Sequence, residues 1–191
     1  MELLFRNFAR FINLETVELD LIKSKFINKI AKRKEILIET GQSNVSVYFV
    51  VKGCLRSFYM DKDGLENVVS FAIEDWWISG GGFNKGDKAI LSIDALEETQ
   101  MLVIEQEALD VLYQKIPKLE RYFRILMQNS LMTQMERIMH TNSFSAEQRY
   151  KAFSLKYPHF ERRIPQKYLA SYLGITPEFL SKMKGQILKS G

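Results

Sequence analysis

The chain has 191 residues, 46% hydrophobic and 26% charged, with a formal net charge of +4 at pH 7. That length suits one or two domains, and the apolar share is enough for a proper core. No apolar run approaches the roughly 18 residues that suggest a membrane span, residues 1–10 lack the pattern of a secretory signal, and the single cysteine, Cys54, excludes an internal disulfide. A cytoplasmic protein without membrane contact is therefore expected.

Residues 3–30 read as helical. Leu3, Phe5, Phe8, Phe11, Ile12 and Leu14 recur at helical spacing, and a second helix is expected over 16–26. From Lys34 the pattern changes to short β-prone runs at 36–38, 45–51, 54–60, 66–73, 74–78, 89–96 and 100–105. Turns separate them at Thr40 and Gly41, at Lys52 and Gly53, and at the hairpin signal Asp61, Lys62, Asp63, Gly64. A glycine-rich loop holds Gly80, Gly81, Gly82 and Gly86. Many short strands with glycine turns predict a sandwich or jelly-roll.

A short helix is expected over 107–113, and Pro117 can start a long one running to about 141 with no internal Gly or Pro. Ile125, Met132 and Met139 repeat every seven residues with Met135 between them. The helix is apolar on two sides, more than a single core-facing stripe requires. One side can pack on the strands and the other on a symmetry mate. A core helix in a monomer is the competing reading. A further helix is expected over 146–157, ended by Pro158.

Charge is uneven. Residues 142–191 carry nine Lys/Arg and three acids, net +6, leaving 18 basic and 20 acidic residues elsewhere, net −2. A basic C-terminal module attached to a near-neutral one suggests a nucleic-acid module joined to a sensor or assembly module. Within the basic part, Leu169, Ala170 and Leu173 share one helical face, and Gly174 is suited to end that helix in the left-handed conformation. Thr176 is a good N-cap, with Pro177 at the first position of the next helix. Phe179, Leu180 and Met183 are expected to be buried, leaving Glu178, Ser181, Lys182 and Gln186 outward. Helix, glycine turn and helix with a polar outer face predict a helix-turn-helix. An ordinary helical hairpin is the alternative.

This order of elements resembles the CRP/FNR family of bacterial transcription regulators, and the resemblance covers nearly the whole chain. It is carried by residues 48–56, by the hairpin at 61–64, by Glu74, Asp75, Trp76, Trp77 and Ile78, by residues 95–97, by Ile116 and Pro117, and by the motif at 170–181. It implies an α+β fold: N-terminal helices and a double-stranded β-roll (a jelly roll) like that of cyclic-nucleotide-binding proteins, a long dimerisation helix, and a C-terminal helix-turn-helix bundle. The expected domains are 1–116 (sensor roll), 117–141 (dimerisation helix) and 142–191 (DNA binding). The implied partners are double-stranded DNA, a second copy of the chain through residues 117–141, and RNA polymerase.

The chain also departs from the family pattern. Nucleotide-binding members place a glutamate on the ribose and an arginine on the cyclic phosphate. The corresponding places here read Ser79 and Gly80, then Ala89 and Ile90. Lys85 and Lys88 lie nearby but are not bidentate forks. The adenine-contacting hydroxyl pair would fall near Gln134 and Met135, which does not fit. Ser79, Gly80, Gly81, Gly82, Ala89 and Ile90 are the candidate ligand-pocket residues. Tight cAMP binding is not expected, nor is any other cofactor. The cysteine cluster of iron–sulfur members is absent, and His140 and His159 read as surface residues. The family's C-terminal wing is expected to be missing, the motif resembling a wingless branch, with Arg162, Arg163, Lys167 and Lys189 replacing its phosphate contacts.

Carried over by motif, the family's first base-contacting arginine falls at Pro177, its glutamate at Glu178, and its second arginine at Lys182. The candidate DNA-binding residues are Thr176, Glu178, Ser181, Lys182, Lys184, Gln166, Lys167, Arg162 and Arg163. The alternative function is a small-ligand sensor acting through protein–protein contacts, with a vestigial helix-turn-helix. No nucleophile–base pair, metal spacing or phosphate loop points to an enzyme.

Overall fold

The structure, a computed structural model, describes residues 1–43, 46–81, 86–158 and 160–190, with side chains in the last helix as far as Gln186. Asn44, Val45, Gly82, Phe83, Asn84, Lys85, His159 and Gly191 lie outside the described residues, as does the side chain of Lys189. The elements are α1 (Glu2–Ala9), α2 (Thr16–Lys25), β1 (Ile27–Ala31), β2 (Ile36–Ile38), β3 (Ser46–Lys52), β4 (Leu55–Met60), β5 (Glu66–Ala72), β6 (Trp77–Ser79), β7 (Ser92–Ala95), β8 (Thr99–Glu105), α3 (Gln106–Lys115), α4 (Lys118–Ser143), α5 (Ala146–Lys156), α6 (Gln166–Leu173) and α7 (Pro177–Ser190). They match the expected order with one correction. Residues 27–31, read from sequence as the end of a helical region, form a strand that pairs antiparallel with β8.

The strands form two four-stranded sheets, ordered β1-β8-β3-β6 and β2-β7-β4-β5. Neighbours in each sheet are mostly distant in sequence, as in a roll. Side chains alternate across each strand, and β3 uses both faces. Tyr48 and Val50 join Ile78, Met101, Leu55 and Ile93 in one buried cluster between the sheets. Phe49 points the other way, joining Leu102, Ile104, Leu4, Phe8, Leu112 and Leu119 under the helices. Each such side chain contributes about 1.5–3 kcal/mol by leaving water.

Two compact units emerge: Met1–Tyr59 with Ser70–Gln128, and Met60–Val69 with Asn129–Gly191. The division falls inside α4, whereas the sequence suggests boundaries at 116 and 141.

In the first unit, Arg56 is 1% exposed. Its guanidinium donates from Nε to Asp94 Oδ1 at 2.7 Å and from Nη2 to Asp94 Oδ2 at 2.8 Å, and it lies 4.1 Å from the centre of the Phe58 ring. This bidentate geometry is the form in which a charge pair tolerates burial. A second polar network ties α1 to α4. Asn7 Nδ2 donates to the Asp75 carboxylate at 2.7 Å, Trp77 Nε1 donates to the Tyr122 hydroxyl at 2.8 Å, and that hydroxyl donates to Asn7 Oδ1. Burial pushes the Tyr122 phenol well above its ordinary value, so it remains a donor.

In the second unit, α6 and α7 pack through Leu169, Ala170, Leu173, Leu180 and Met183, all buried. Glu161, in the turn before α6, gathers the polar contacts. It accepts hydrogen bonds from the Tyr150 hydroxyl at 2.9 Å and from the Lys184 ammonium. Burial pushes its carboxyl up, but the hydrogen bonds from Lys184 and Tyr150, with the Lys184 charge, together hold it below the ordinary glutamate value.

Replacing Arg56 by Ala leaves a buried carboxylate alone and is expected to lower stability by about 3–5 kcal/mol in urea unfolding; a loss below about 1 kcal/mol would contradict the role given to the pair. For Glu161 the lowered value means that its stabilisation is present above the unfolded pKa and is lost as pH falls through the folded one. The stability difference between the wild type and Glu161→Gln should therefore shrink on acidification below 4.5, read by thermal melts across pH. A difference that does not change with pH rules out the ionised contact.

Candidate nucleic-acid interface

The helix-turn-helix is set by its glycine turn. Gly174 has φ 68° and ψ 40°, the left-handed conformation that side-chain-bearing residues adopt at a cost. Its N–H donates to the Ser171 carbonyl at 3.0 Å, and the Ile175 N–H reaches back to the Ala170 carbonyl at 3.0 Å, closing the end of α6. Arg149 Nε also donates to the Leu173 carbonyl at 3.0 Å. Thr176 then caps α7, its Oγ1 accepting from the Phe179 N–H at 3.2 Å. Pro177 follows at the first helical position, where its missing N–H is no loss.

Burial fixes which face of α7 looks outward. Leu180 is 0% exposed and Met183 5%. Glu178, Ser181, Lys182 and Gln186 are exposed, as expected. Phe179 is the correction: it was expected in the core and is 51% exposed. At about 100° per residue, it lies on the flank between the buried pair and the row of Glu178 and Lys182. Among the described residues of α7, Leu180 and Met183 are the buried ones.

The other candidate residues divide by environment. Gln166 and Lys167 are exposed in the first turn of α6, where N–H groups and the helix dipole favour anions. The Lys167 ammonium lies 4.5 Å from the centre of the Tyr168 ring. Arg162 is exposed in the preceding turn and Arg163 half-buried. Lys184 differs from Lys182: its side chain is only 24% exposed and its ammonium pairs with Glu161. That pairing, between residues 23 apart, left no local trace in the sequence.

Sequence reasoning also missed how the hairpin tip is held within this unit. Ser171 Oγ accepts from the Val68 N–H at 2.9 Å and donates to the Glu66 carbonyl at 3.0 Å. Arg137 Nη2 donates to the Val68 carbonyl at 3.3 Å, with its guanidinium 4.3 Å from the centre of the Tyr172 ring. The available signal was the polar Ser171 beside the buried positions of α6. A cavity of about 80 Å³ lies against α4, lined in part by Arg137, Arg149 and Lys156. These cations are engaged, Arg149 with the Phe144 and Leu173 carbonyls and Lys156 with Glu136.

In the first unit, the described part of the candidate ligand segment closes on itself. The Ile90 and Leu91 N–H groups both donate to the Gly80 carbonyl at 2.9 Å. A Cβ on Gly80 would meet the Leu91 carbonyl at 2.9 Å, and one on Gly81 the Ile90 side chain at 2.5 Å. Gly80 therefore serves a close backbone approach, and Gly81 takes a left-handed φ of 77°. Ala89 is buried and Ile90 exposed, Ser79 is half-buried, and Gly82 lies outside the described residues. Among the described residues no group of three or more His, Cys, Asp or Glu side chains could hold a metal ion, and no helix is long and apolar enough to cross a membrane.

Residues 29–116 match the cyclic nucleotide-binding domain family. The chain is 27% identical over 194 residues to the regulatory protein HlyX of Actinobacillus pleuropneumoniae, a match covering 93% of this chain and 77% of that one. In fold it is similar to FixK2 from Bradyrhizobium japonicum, with a TM-score of 0.77, 18% identity, and coverage of 87% of this chain and 86% of that one. It is also similar to a transcriptional regulator of the CRP/FNR family from Eubacterium rectale, with a TM-score of 0.74, 19% identity, and coverage of 93% and 85%. With a nucleotide-binding-type roll followed by a long helix and a helix-turn-helix, the chain is similar in sequence and in fold to transcription regulators of the CRP/FNR family.

Proposed function

We propose that the chain works in the cytoplasm as a homodimeric, sequence-specific DNA-binding regulator, with α7 as its recognition helix. The observation that carries this reading is the two-sided character of α7. Leu180 and Met183 anchor one side, and Glu178, Ser181 and Lys182 stand exposed on the other. Glu178 can accept from a cytosine amino group, and Lys182 can donate to guanine. Gln166, Lys167 and Arg162 suit phosphate contacts, which position the module without reading sequence. Lys184, paired with Glu161, supports the fold of the module more than a base contact.

A second copy is the partner proposed for α4. Leu131, Met132, Met135, Ile138 and Met139 are each between 51% and 60% exposed, and their spacing puts them on one stripe. A dimer would present two copies of α7 to two half-sites. RNA polymerase is a further proposed partner, and the expected chemistry is binding without catalysis.

The roll is proposed not to respond to cAMP. A cyclic phosphate needs charge-assisted partners, each worth about 1.5–3 kcal/mol. Ala89 and Ile90 offer none at the position of the family's arginine, and Gly80 is occupied in backbone bonding to residues 90 and 91.

Selection from random duplexes should enrich an inverted repeat with half-sites about one helical turn, roughly 34 Å, apart, bound with affinity that falls steeply as salt rises. Enrichment of no sequence, or only of unpaired single sites, would overturn the regulator or the dimer respectively. In thermal melts, saturating cAMP should leave the transition unmoved; a large upward shift would reverse the reading of residues 79, 80, 89 and 90.

A further inference from the structure

We propose that Phe179 reads a thymine C5-methyl group in the operator, resting on the assignment of α7 as recognition helix. Phe179 lies in the first turn of α7, the end from which such helices contact base edges. The Thr176 cap takes its N–H, pinning the residue in that turn. Phe179 is 51% exposed while Leu180, the next residue, is fully buried. Its neighbours three residues away on the helix surface, Thr176 and Lys182, are polar and exposed, while Met183 on its inner side is buried. A large apolar side chain set among reading groups suits a partner that is polar with one apolar feature.

The major groove offers that feature. Glu178 and Lys182 address hydrogen-bonding groups, of cytosine and guanine respectively. Neither detects the methyl of thymine, which side chains read by apolar contact, Phe among them. One further observation concerns reach. Glu178, Lys182 and Gly185 fall in one row at spacings of four and three residues, and beside Gly185 nothing lies within 4 Å of where a Cβ would stand. Gly185 adds no side chain to that row, so the helix backbone can approach the groove closely there, within reach of a ring shorter than lysine.

The test uses the full chain and the duplex found by selection. Thymines are replaced singly by deoxyuridine, which removes the methyl and keeps every hydrogen-bonding group, and affinity is read by fluorescence anisotropy. For the wild type, one thymine in each half-site should show a loss of about fourfold on replacement, the effect of one buried methyl. In Phe179→Ala the same replacement should change nothing, while Phe179→Leu should keep part of the sensitivity.

Two results overturn the proposal and leave sequence-specific binding standing. One is a wild type indifferent to every deoxyuridine. The other is a Phe179→Ala chain with undiminished sensitivity at the same thymine. The wild-type series needs no variant, so a variant that fails to fold does not shelter the proposal. If selection yields no operator at all, the recognition-helix reading falls first, and this inference with it.

Discussion

The left-handed turn at Gly174 is the constraint on which the functional end of the molecule depends. With φ at 68°, it reverses the chain in three residues between Leu173 and Pro177. The turn sets α7 against α6 so that Leu180 and Met183 meet Leu169, Ala170 and Leu173 in the core. Once those contacts are fixed, helical geometry dictates which side chains face solvent. The polar row of α7 is thus a consequence of a backbone conformation and an apolar contact. Thr176 and Pro177 start the next helix at once, which leaves no slack in the turn.

The remaining polar residues of that unit stabilise it. Glu161 takes the charge of Lys184 and the hydroxyl of Tyr150. Arg149 closes the end of α6. Ser171 and Arg137 occupy the backbone groups of residues 66 and 68, so the hairpin is held to this unit by hydrogen bonds to its main chain. A basic module thus spends several of its cations internally, and net charge alone overstates what is free for a nucleic acid. The first unit follows a similar economy. Its most buried guanidinium is neutralised by Asp94, and its Asn7–Tyr122–Trp77 network satisfies the polar groups that the roll and helices bury together.

Much of this was legible in the sequence, for local reasons. Gly174, Thr176 and Pro177 each act within a few residues, so the turn and both helices could be read directly. The hairpin at residues 61–64 is equally local. Legibility ended where partners are far apart. Arg56 and Asp94 are 38 residues apart, and Lys184 and Glu161 23 apart; no spacing rule links them. The strand at 27–31 was hidden because Ile27 and Ile30 are exposed, at 64% and 62%, so apolarity there did not mark an inward face. Phe179 failed for the opposite reason: apolarity suggested burial, but its place on the helix circumference lies just outside the contact with α6.

The central claim, that the exposed row of α7 reads DNA while its neighbour on the inner side holds the module together, rests on the contrast between Lys182 and Lys184. The most direct measurement is operator binding by fluorescence anisotropy, with melting temperatures in parallel, for Lys182→Glu and Lys184→Glu. Lys182→Glu is expected to lose the distinction between operator and scrambled duplex at an unchanged melting temperature. Lys184→Glu is expected to melt lower, yet to keep that distinction at temperatures where it is folded. A folded Lys184→Glu chain that cannot tell the duplexes apart, beside a Lys182→Glu chain that can, would contradict the account.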